Sequence, residues 1–143
     1  MKTTVLISGI GGDIAQGVAT ILTERRPDLR LIGSDVHDCH AGKKWVSQVF
    51  TLPEASDENY IPKLQEAIKR ENVRIFIPMT EPELSVLMRS GVQFSGTHLI
   101  TAGHTVLKVG LDKWETNQAL IRLKLPAPRT RLLPSSENLK FPC

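Results

Sequence analysis

A run of β-branched and apolar residues that leads into a glycine turn and then a helix constrains the fold of this chain more than any other feature. The run extends from Thr3 to Ser8, and Gly9-x-Gly11-Gly12 interrupts it. A continuous apolar run of this length predicts a strand buried on both faces, as in a parallel sheet. Asp13 then begins a predicted helix that ends before Pro27, with the apolar positions Ile14, Val18, Ile21 and Leu22 on one stripe that is expected to be buried. Strand, turn and helix in this order indicate an α/β fold.

The same alternation of strand and helix continues through residue 101. The patterns predict further strands at residues 29–35, 48–52, 74–78 and 98–101. They predict further helices after a cap at Asp57, over Glu81–Ser90, and over residues 112–124 with Asp112 as the cap. We therefore expect an α/β, Rossmann-like open sheet of about five mainly parallel strands, with helices on both faces and right-handed crossovers.

The last third of the chain departs from this alternation. Three prolines fall within nine residues, from Pro126 to Pro134, which is typical of a link between domains. The run from Arg129 to Leu133 is predicted to be an orphan strand, because the chain offers no neighbour for it. We expect residues 1–111 to form one domain, and residues 112–143 to form a linker helix and the first part of a truncated second domain. The chain is thus predicted to be the front end of a longer protein.

Composition excludes several classes of protein. Of the 143 residues, 41% are hydrophobic and 23% are charged, which is typical of a soluble globular protein. No apolar run approaches the roughly 20 residues that a membrane span needs, and the N-terminal segment lacks a signal-peptide pattern. We therefore expect a cytoplasmic protein with no membrane partner. The net charge of +3 is small and scattered, which argues against a nucleic-acid partner.

Candidate binding residues gather at the predicted carboxyl edge of the sheet. Gly9, Gly11 and Gly12 precede a helix, which is the context in which a glycine loop binds phosphate. Asp35 follows the second strand, near the spacing of an acid that binds an adenosine ribose. Asp13 counts against phosphate, because its carboxylate competes for the N–H groups of the helix N-terminus. Ligand binding by these residues and a purely structural tight turn therefore both remain open.

A second group of candidates lies in the segment Thr80-Glu81-Pro82-Glu83. Thr80 and Glu83 have the spacing of a capping box, in which each side chain accepts the other's backbone N–H. Pro82 suits a first helical turn, whereas Glu81 has no such structural explanation. We keep Thr80, Glu81 and Glu83 as candidates for contact with a substrate or with another domain.

The segment His37-Asp38-Cys39-His40 contains four side chains of the types that bind metal ions. Consecutive side chains do not converge easily on one ion, and no second cluster of such residues accompanies them. Cys39 has His37 and His40 too close in sequence to face it as a base. We therefore expect no metal site and no catalytic residue in this chain, and the role of the loop stays open.

These segments, in their order and spacing, resemble the N-terminal, pre-ATP-grasp domain of ATP-grasp ligases, most closely the carbamoyl-phosphate synthase large-subunit-like group. The resemblance covers essentially the whole chain. It is carried by residues Val5–Gln16, Ile32–Asp35, Phe50–Pro53, Tyr60 and Phe76–Leu84, and by Asp112-Lys113, Thr116, Leu120 and Leu125–Thr130 in the tail.

The resemblance implies an enzyme that uses ATP and Mg to activate a carboxylate as an acyl phosphate, which it transfers to an amine-type nucleophile. The Lys of the Asp-Lys pair often contacts ATP phosphate in that family, which implies an ATP-binding role for Lys113. Phe141–Cys143 resembles the start of a strand that leads to a second ATP-binding residue.

The Mg ligands, phosphate flap and adenine pocket of the family have no counterpart in this sequence. We therefore expect the fragment to be inactive by itself and to bind no cofactor tightly. The partners implied are small-molecule carboxylate and amine substrates, the remaining ATP-grasp domain, and a second copy in a homodimer.

Two other interpretations remain open. The glycine loop also fits an NAD(P)-binding Rossmann domain of the reductase or epimerase type. Asp13 and the lack of a Tyr-x-x-x-Lys pair count against that interpretation, since the single Tyr, Tyr60, is followed by Lys63. A non-catalytic interaction domain is the third possibility, and the orphan strand counts against it.

Overall fold

The computed structural model describes residues 2–133, and the chain divides into two compact units, residues 1–102 and residues 103–143. The first unit contains β1 (Thr3–Ser8), α1 (Asp13–Arg25), β2 (Leu29–Asp35), a short 3-10 helix (Ala41–Lys44), β3 (Val49–Thr51), α2 (Tyr60–Arg70), β4 (Val73–Ile77), α3 (Glu81–Ser90) and β5 (His98–Leu99). The second unit contains α4 (His104–Gly110) and α5 (Lys113–Arg122).

The first unit is built on a five-stranded sheet in the order β3-β2-β1-β4-β5, with every pair of neighbours parallel. Ser8 at the end of β1 lies opposite Ser34 of β2, and Ile7 lies opposite Ile77 of β4. Because all strands run in one direction, their carboxyl ends meet at a single edge of the sheet. The predicted Rossmann-like α/β fold is confirmed.

Helices cover both faces of this sheet, and each face has its own apolar layer. Side chains alternate along a strand, so neighbouring residues of β1 belong to different layers. Val5 and Ile7 pack with Ala15 and Ala19 of α1. On the other face, the buried layer includes α2 and α3 and contains Leu6, Ile32, Leu52, Tyr60, Leu64, Ile68, Val73, Phe76, Leu87 and Phe94.

Helix α1 faces the sheet with small side chains, which the apolar pattern did not indicate. Ala15 and Ala19 are the buried residues of this helix, whereas Ile14 and Ile21 are 70% and 60% exposed. The prediction that Ile14 and Ile21 share the buried stripe with Val18 and Leu22 was therefore wrong. Alanines allow the helix axis to approach the sheet closely, and that closeness decided which face is buried.

Three further details differ from the sequence-based expectations. Helix α2 begins at Tyr60, and the Asp57 carboxylate accepts the N–H of Asn59 in the preceding turn instead of capping the helix. Helix α4 was not predicted; it is a single short helix of seven residues with no buried residue. Residues 129–133 form no strand in the structure, and the predicted strand start at residues 141–143 lies outside the described residues.

The second unit is organised by two polar side chains of α5. Asp112 caps the helix, as predicted, and its Oδ1 accepts the N–H groups of Trp114 and Glu115 at 2.8 and 3.0 Å. The buried Asn117 amide donates to the Pro128 carbonyl and to Thr130 Oγ1 at 2.8 and 2.9 Å. The proline-rich segment is thereby held against α5. The compact units divide after residue 102, and the domain limit expected after residue 111 stays a prediction.

No helix within residues 2–133 is long and apolar enough to cross a membrane.

Two glycines give opposite predictions for the free energy of unfolding. A Cβ atom on Gly33 of β2 would lie 2.9 Å from Cγ2 of the fully buried Ile10. We expect Gly33→Ala to lower the free energy of unfolding by about 1–3 kcal/mol, since the core must rearrange around the added methyl group. Gly17→Ala on the open face of α1 meets no atom within 4 Å and should raise the free energy by up to about 1 kcal/mol. Urea unfolding curves measure both changes, and equal stability of Gly33→Ala and the unchanged protein would contradict the packing described here.

Candidate functional site

A cleft of about 570 Å³ opens at the carboxyl edge of the sheet. The ends of β1 and β2, the loop that follows β3, and the first turns of α2 and α3 form its walls. The lining residues are Gly9, Gly12, Ser34, Asp35, Val36, Leu52, Pro53, Glu54, Ala55, Ser56, Tyr60, Thr80, Pro82 and Glu83. In an open parallel sheet this edge is the usual position of a binding site.

A buried carboxylate organises one wall of the cleft. Glu83 is only 8% exposed, and it accepts hydrogen bonds from three hydroxyl groups. Its Oε2 accepts from Ser8 Oγ at 2.7 Å and from Thr80 Oγ1 at 2.8 Å, and its Oε1 accepts from the Tyr60 hydroxyl at 2.8 Å. Ser8 Oγ in turn accepts the N–H of Met79 at 3.2 Å. The ends of β1, α2 and α3 are therefore fixed to one carboxylate.

The capping box expected between Thr80 and Glu83 forms only in part. Thr80 Oγ1 accepts the N–H of Glu83 at 3.3 Å, as predicted. The Glu83 carboxylate, however, accepts from the Thr80 hydroxyl and from Ser8 and Tyr60 rather than from the Thr80 backbone. The carboxylate adopts this position because the hydroxyls of Ser8, Tyr60 and Thr80 together offer it three donors, whereas the Thr80 backbone offers one.

The Tyr60 hydroxyl is held in its protonated form. The side chain is 1% exposed and packs in the apolar layer, while its hydroxyl points at Glu83. Burial raises the pKa of Tyr60 well above its usual value, and the neighbouring Glu83 carboxylate raises it further. Tyr60 therefore donates to Glu83 at all physiological pH values.

The glycine loop forms a tight turn, and backbone N–H groups at this turn donate to the carboxylates of Asp35 and Asp13. Gly9 has a φ of +59°, and a Cβ on it would lie 2.7 Å from Thr80 Cγ2, so a larger residue would meet the far wall of the cleft. The N–H of Gly11 donates to Asp35 Oδ2 at 2.7 Å. The N–H of Ile14 donates to Asp13 Oδ1 at 2.8 Å, which is the competition for helix N–H groups that the sequence predicts.

The charge of the cleft is negative. Asp35 and Glu54 line it together with Glu83, and no Lys, Arg or His is among its lining residues in the described part of the chain. Ser34 also lines the cleft. Its hydroxyl is unusual because it is buried and has no hydrogen-bond partner within residues 2–133. Buried polar atoms are nearly always paired, so this hydroxyl indicates a missing partner.

The structure brings together most of the predicted cleft residues. Gly9, Gly12, Asp35, Thr80 and Glu83 line the cleft, and Gly11 positions Asp35. Asp13 and Glu81 are exposed residues at the starts of α1 and α3 and are not among the lining residues. Lys113 lies in the second unit, in the first turn of α5.

Sequence reasoning missed several lining residues, among them Ser34, Glu54 and Tyr60. Tyr60 is the single tyrosine in the chain, and its position at a helix start gives no local signal of a tertiary hydrogen bond. Within residues 2–133, no group of three or more His, Cys, Asp and Glu side chains could hold a metal ion.

Solved structures of several enzymes share this fold. Glycinamide-RNase-transformylase T from Mycobacterium tuberculosis matches 86% of this chain and 36% of its own, with a TM-score of 0.64 and 15% identity. The biotin carboxylase domain of a single-chain bacterial carboxylase matches 94% of this chain and 32% of its own, with a TM-score of 0.62 and 14% identity. The ADP complex of purK, an N5-carboxyaminoimidazole ribonucleotide synthetase, matches 87% of this chain and 30% of its own, with a TM-score of 0.60 and 16% identity.

The chain thus spans about a third of the length of these solved chains. At these identities the likeness establishes the fold, and the family model described next is needed with it to confirm the resemblance to the pre-ATP-grasp domain of ATP-grasp ligases. No curated protein shows significant similarity to the chain.

A protein-family model also matches the chain and indicates the family to which it belongs. The model of the PylC-like N-terminal domain matches residues 5–100, which include the sheet except the first two residues of β1, the glycine loop and every residue that lines the cleft. The chain therefore belongs to the PylC-like N-terminal domain family.

Proposed function

We propose that this chain is the N-terminal part of an ATP-dependent ligase, and that its cleft receives a small-molecule substrate of that enzyme. The observation that carries this proposal is the cleft itself, because it combines a preformed cavity, a rigid polar wall and a buried hydroxyl without a partner in residues 2–133, at the edge where parallel sheets bind ligands. Family membership and the enzymes that share the fold support a ligase.

The reaction that we propose is activation of a carboxylate by ATP and Mg as an acyl phosphate, followed by attack of an amine-type nucleophile. Phosphoryl transfer depends on positioned cations and metal ions, and the acidic cleft supplies neither. The nucleotide and Mg therefore bind to other parts of the enzyme, mainly a following ATP-grasp domain. The cleft holds a substrate beside them, and the chain by itself is inactive and binds no nucleotide tightly.

Lys113 is the residue of this chain that we propose as an ATP ligand. It stands in the first turn of α5, where the helix dipole disfavours a cation. The Asp112 cap occupies the N–H groups of Trp114 and Glu115, which gives the helix start a defined geometry. A phosphate contact explains a lysine at this place.

An NAD(P)-binding domain is less well supported. The pyrophosphate of a dinucleotide would meet Asp13 and Asp35, and no cation of the cleft lining offsets these acids. Micromolar binding of NADPH that Gly11→Val abolishes would contradict the ligase proposal.

Substitution of Lys113 tests the proposal in the full-length protein. We expect ATP consumption, measured as ADP formation with a panel of carboxylates and amines, to require both substrate types. Lys113→Ala should raise the KM for ATP by about tenfold or more, because a charge-assisted contact with phosphate is lost. Lys108→Ala on α4 removes an equal charge and should change the KM little. Equal effects of the two substitutions would contradict an ATP contact for Lys113.

The hydroxyl network gives a second prediction, concerning stability. Tyr60→Phe leaves Glu83 Oε1 without its donor and should lower the free energy of unfolding by about 1–3 kcal/mol. Ser56→Ala removes a hydroxyl from an exposed carboxylate, Glu54, and should change the free energy by less than about 0.5 kcal/mol.

The pH dependence of unfolding isolates the Tyr60 contribution. Its pKa is raised in the folded protein, so its stabilising effect is complete below the unfolded pKa of about 10 and is lost as the pH rises above it. We expect the free energy of unfolding to fall more steeply above pH 10 in the unchanged protein than in Tyr60→Phe. Parallel curves would show that the hydroxyl is not buried against Glu83.

A further inference from the structure

The wall of the cleft presents acceptors rather than donors. Each hydroxyl has one hydrogen to donate, and the hydroxyls of Ser8, Tyr60 and Thr80 all donate theirs to Glu83. Tyr60 and Thr80, which line the cavity, therefore have only lone pairs left for a ligand. The buried carboxylate thus fixes the hydrogen-bond polarity of this wall.

The opposite side of the cleft has the same polarity. Asp35 is half-buried, and its Oδ2 is occupied by the Gly11 N–H, while His37 N–H approaches Oδ1 at a long 3.3 Å. Glu54 stands exposed at the rim. The two carboxylates line a cavity that has no Lys, Arg or His among its lining residues in the described part of the chain. A ligand with positive charge and N–H groups complements this arrangement.

Ser34 supplies an independent indication of a ligand. It is 1% exposed, its hydroxyl has no partner within residues 2–133, and it lines the cleft. Alternation along β2 places it on the same face of the sheet as Ile32, whose layer contains Leu52 and Tyr60 of the cleft wall. Among the lining residues, its hydroxyl is the buried side-chain donor that has no partner in the described part of the chain.

We infer that the cleft binds the protonated amine end of the substrate of the ligase, with the ammonium between Asp35, Glu54 and the lone pairs of Tyr60 and Thr80. The Ser34 hydroxyl donates to an acceptor atom elsewhere on the same molecule. Val36, Leu52 and Pro53 contact its apolar part. The inference rests on the proposed function, and it assigns this cleft to the amine-bearing substrate and excludes phosphate from it.

Three four-carbon probes of different charge test the inference with the full-length protein. Isothermal calorimetry would measure binding of 1,4-diaminobutane, its neutral counterpart 1,4-butanediol, and the anion butyl phosphate. We expect the diamine to bind about tenfold or more tightly than the diol, since a charge-assisted hydrogen bond to a partly buried carboxylate is replaced by a neutral one. Butyl phosphate should not bind at the cleft. Equal affinity for the diamine and the diol, or tighter binding of the phosphate, would overturn the inference.

Variants locate the binding. Asp35→Asn should weaken diamine binding by about tenfold, and the exposed Glu54→Gln by about threefold. Glu58→Gln, an equal charge change on the same exposed loop but outside the cleft lining, is the matched control and should have no effect. If Asp35→Asn fails to fold, a comparison of diamine binding by Glu54→Gln and Glu58→Gln still tests the inference. Equal effects of these two would mean that the amine does not bind here.

Ser34→Ala separates a ligand-binding role from a structural one. A hydroxyl without a protein partner contributes nothing to the folded state, so its removal should leave the free energy of unfolding unchanged or slightly raised. The calorimetric probe for Ser34 is 4-aminobutanamide, whose carbonyl can accept its hydrogen bond, and Ser34→Ala should weaken this binding by about threefold or more. A loss of stability with no change in binding would contradict the assignment.

ADP binding to the full-length protein distinguishes failure of this inference from failure of the proposed function. If ADP binds and the diamine does not prefer the cleft, the ligase proposal stands and the assignment of the amine site is wrong. If the diamine binds as expected and ADP does not bind, the cleft takes a cationic ligand in a protein that is not an ATP-dependent ligase.

Discussion

The hydrogen bonds of the Glu83 carboxylate are the interaction on which the cleft depends. A buried carboxylate is costly unless several donors compensate for the water that it loses. Here the donors come from the end of β1, the first residue of α2 and the residue that caps α3. Three elements that are distant in sequence are therefore held at one point. These contacts fix the position of the cleft wall. They also fix its hydrogen-bonding character, since each of the three hydroxyls donates its hydrogen to Glu83.

The fold around this point could be predicted from the sequence because it follows from local patterns. The run Thr3–Ser8, the glycine turn and the Asp13 helix start are all contiguous, and the structure has the strand and helix at these bounds. Parallel pairing of the strands follows from the alternation of strands and helices, whereas the central position of β1 is known from the structure. It also follows that Ser8, Asp35 and Thr80 share one edge. The pattern of apolar residues was least informative for α1, where small residues rather than large ones face the sheet.

The chemistry of the cleft could not be predicted in the same way, because it rests on contacts between distant residues. Ser8 and Glu83 are separated by 75 positions, and Tyr60 and Glu83 by 23. The residues around Glu83 in the sequence indicate only a helix cap. The residues around Ser34 indicate only a strand. Only the three-dimensional arrangement shows that Glu83 accepts three hydroxyl hydrogens and that the Ser34 hydroxyl has no acceptor within residues 2–133.

The glycine loop illustrates how one fold can present opposite charges to a ligand. A free helix N-terminus attracts anions, because its N–H groups point outward and carry partial positive charge. In this chain the N–H groups of Gly11, Gly12 and Ile14 donate to Asp35, to the Gly9 carbonyl and to Asp13. Two carboxylates thus occupy positions where a phosphate would need unpaired donors. A glycine turn before a helix is present, but the carboxylates of Asp35 and Asp13 accept two of its N–H groups. The charge at this end of the sheet is therefore set by side chains such as Asp13 and Asp35, and not by the fold that carries them.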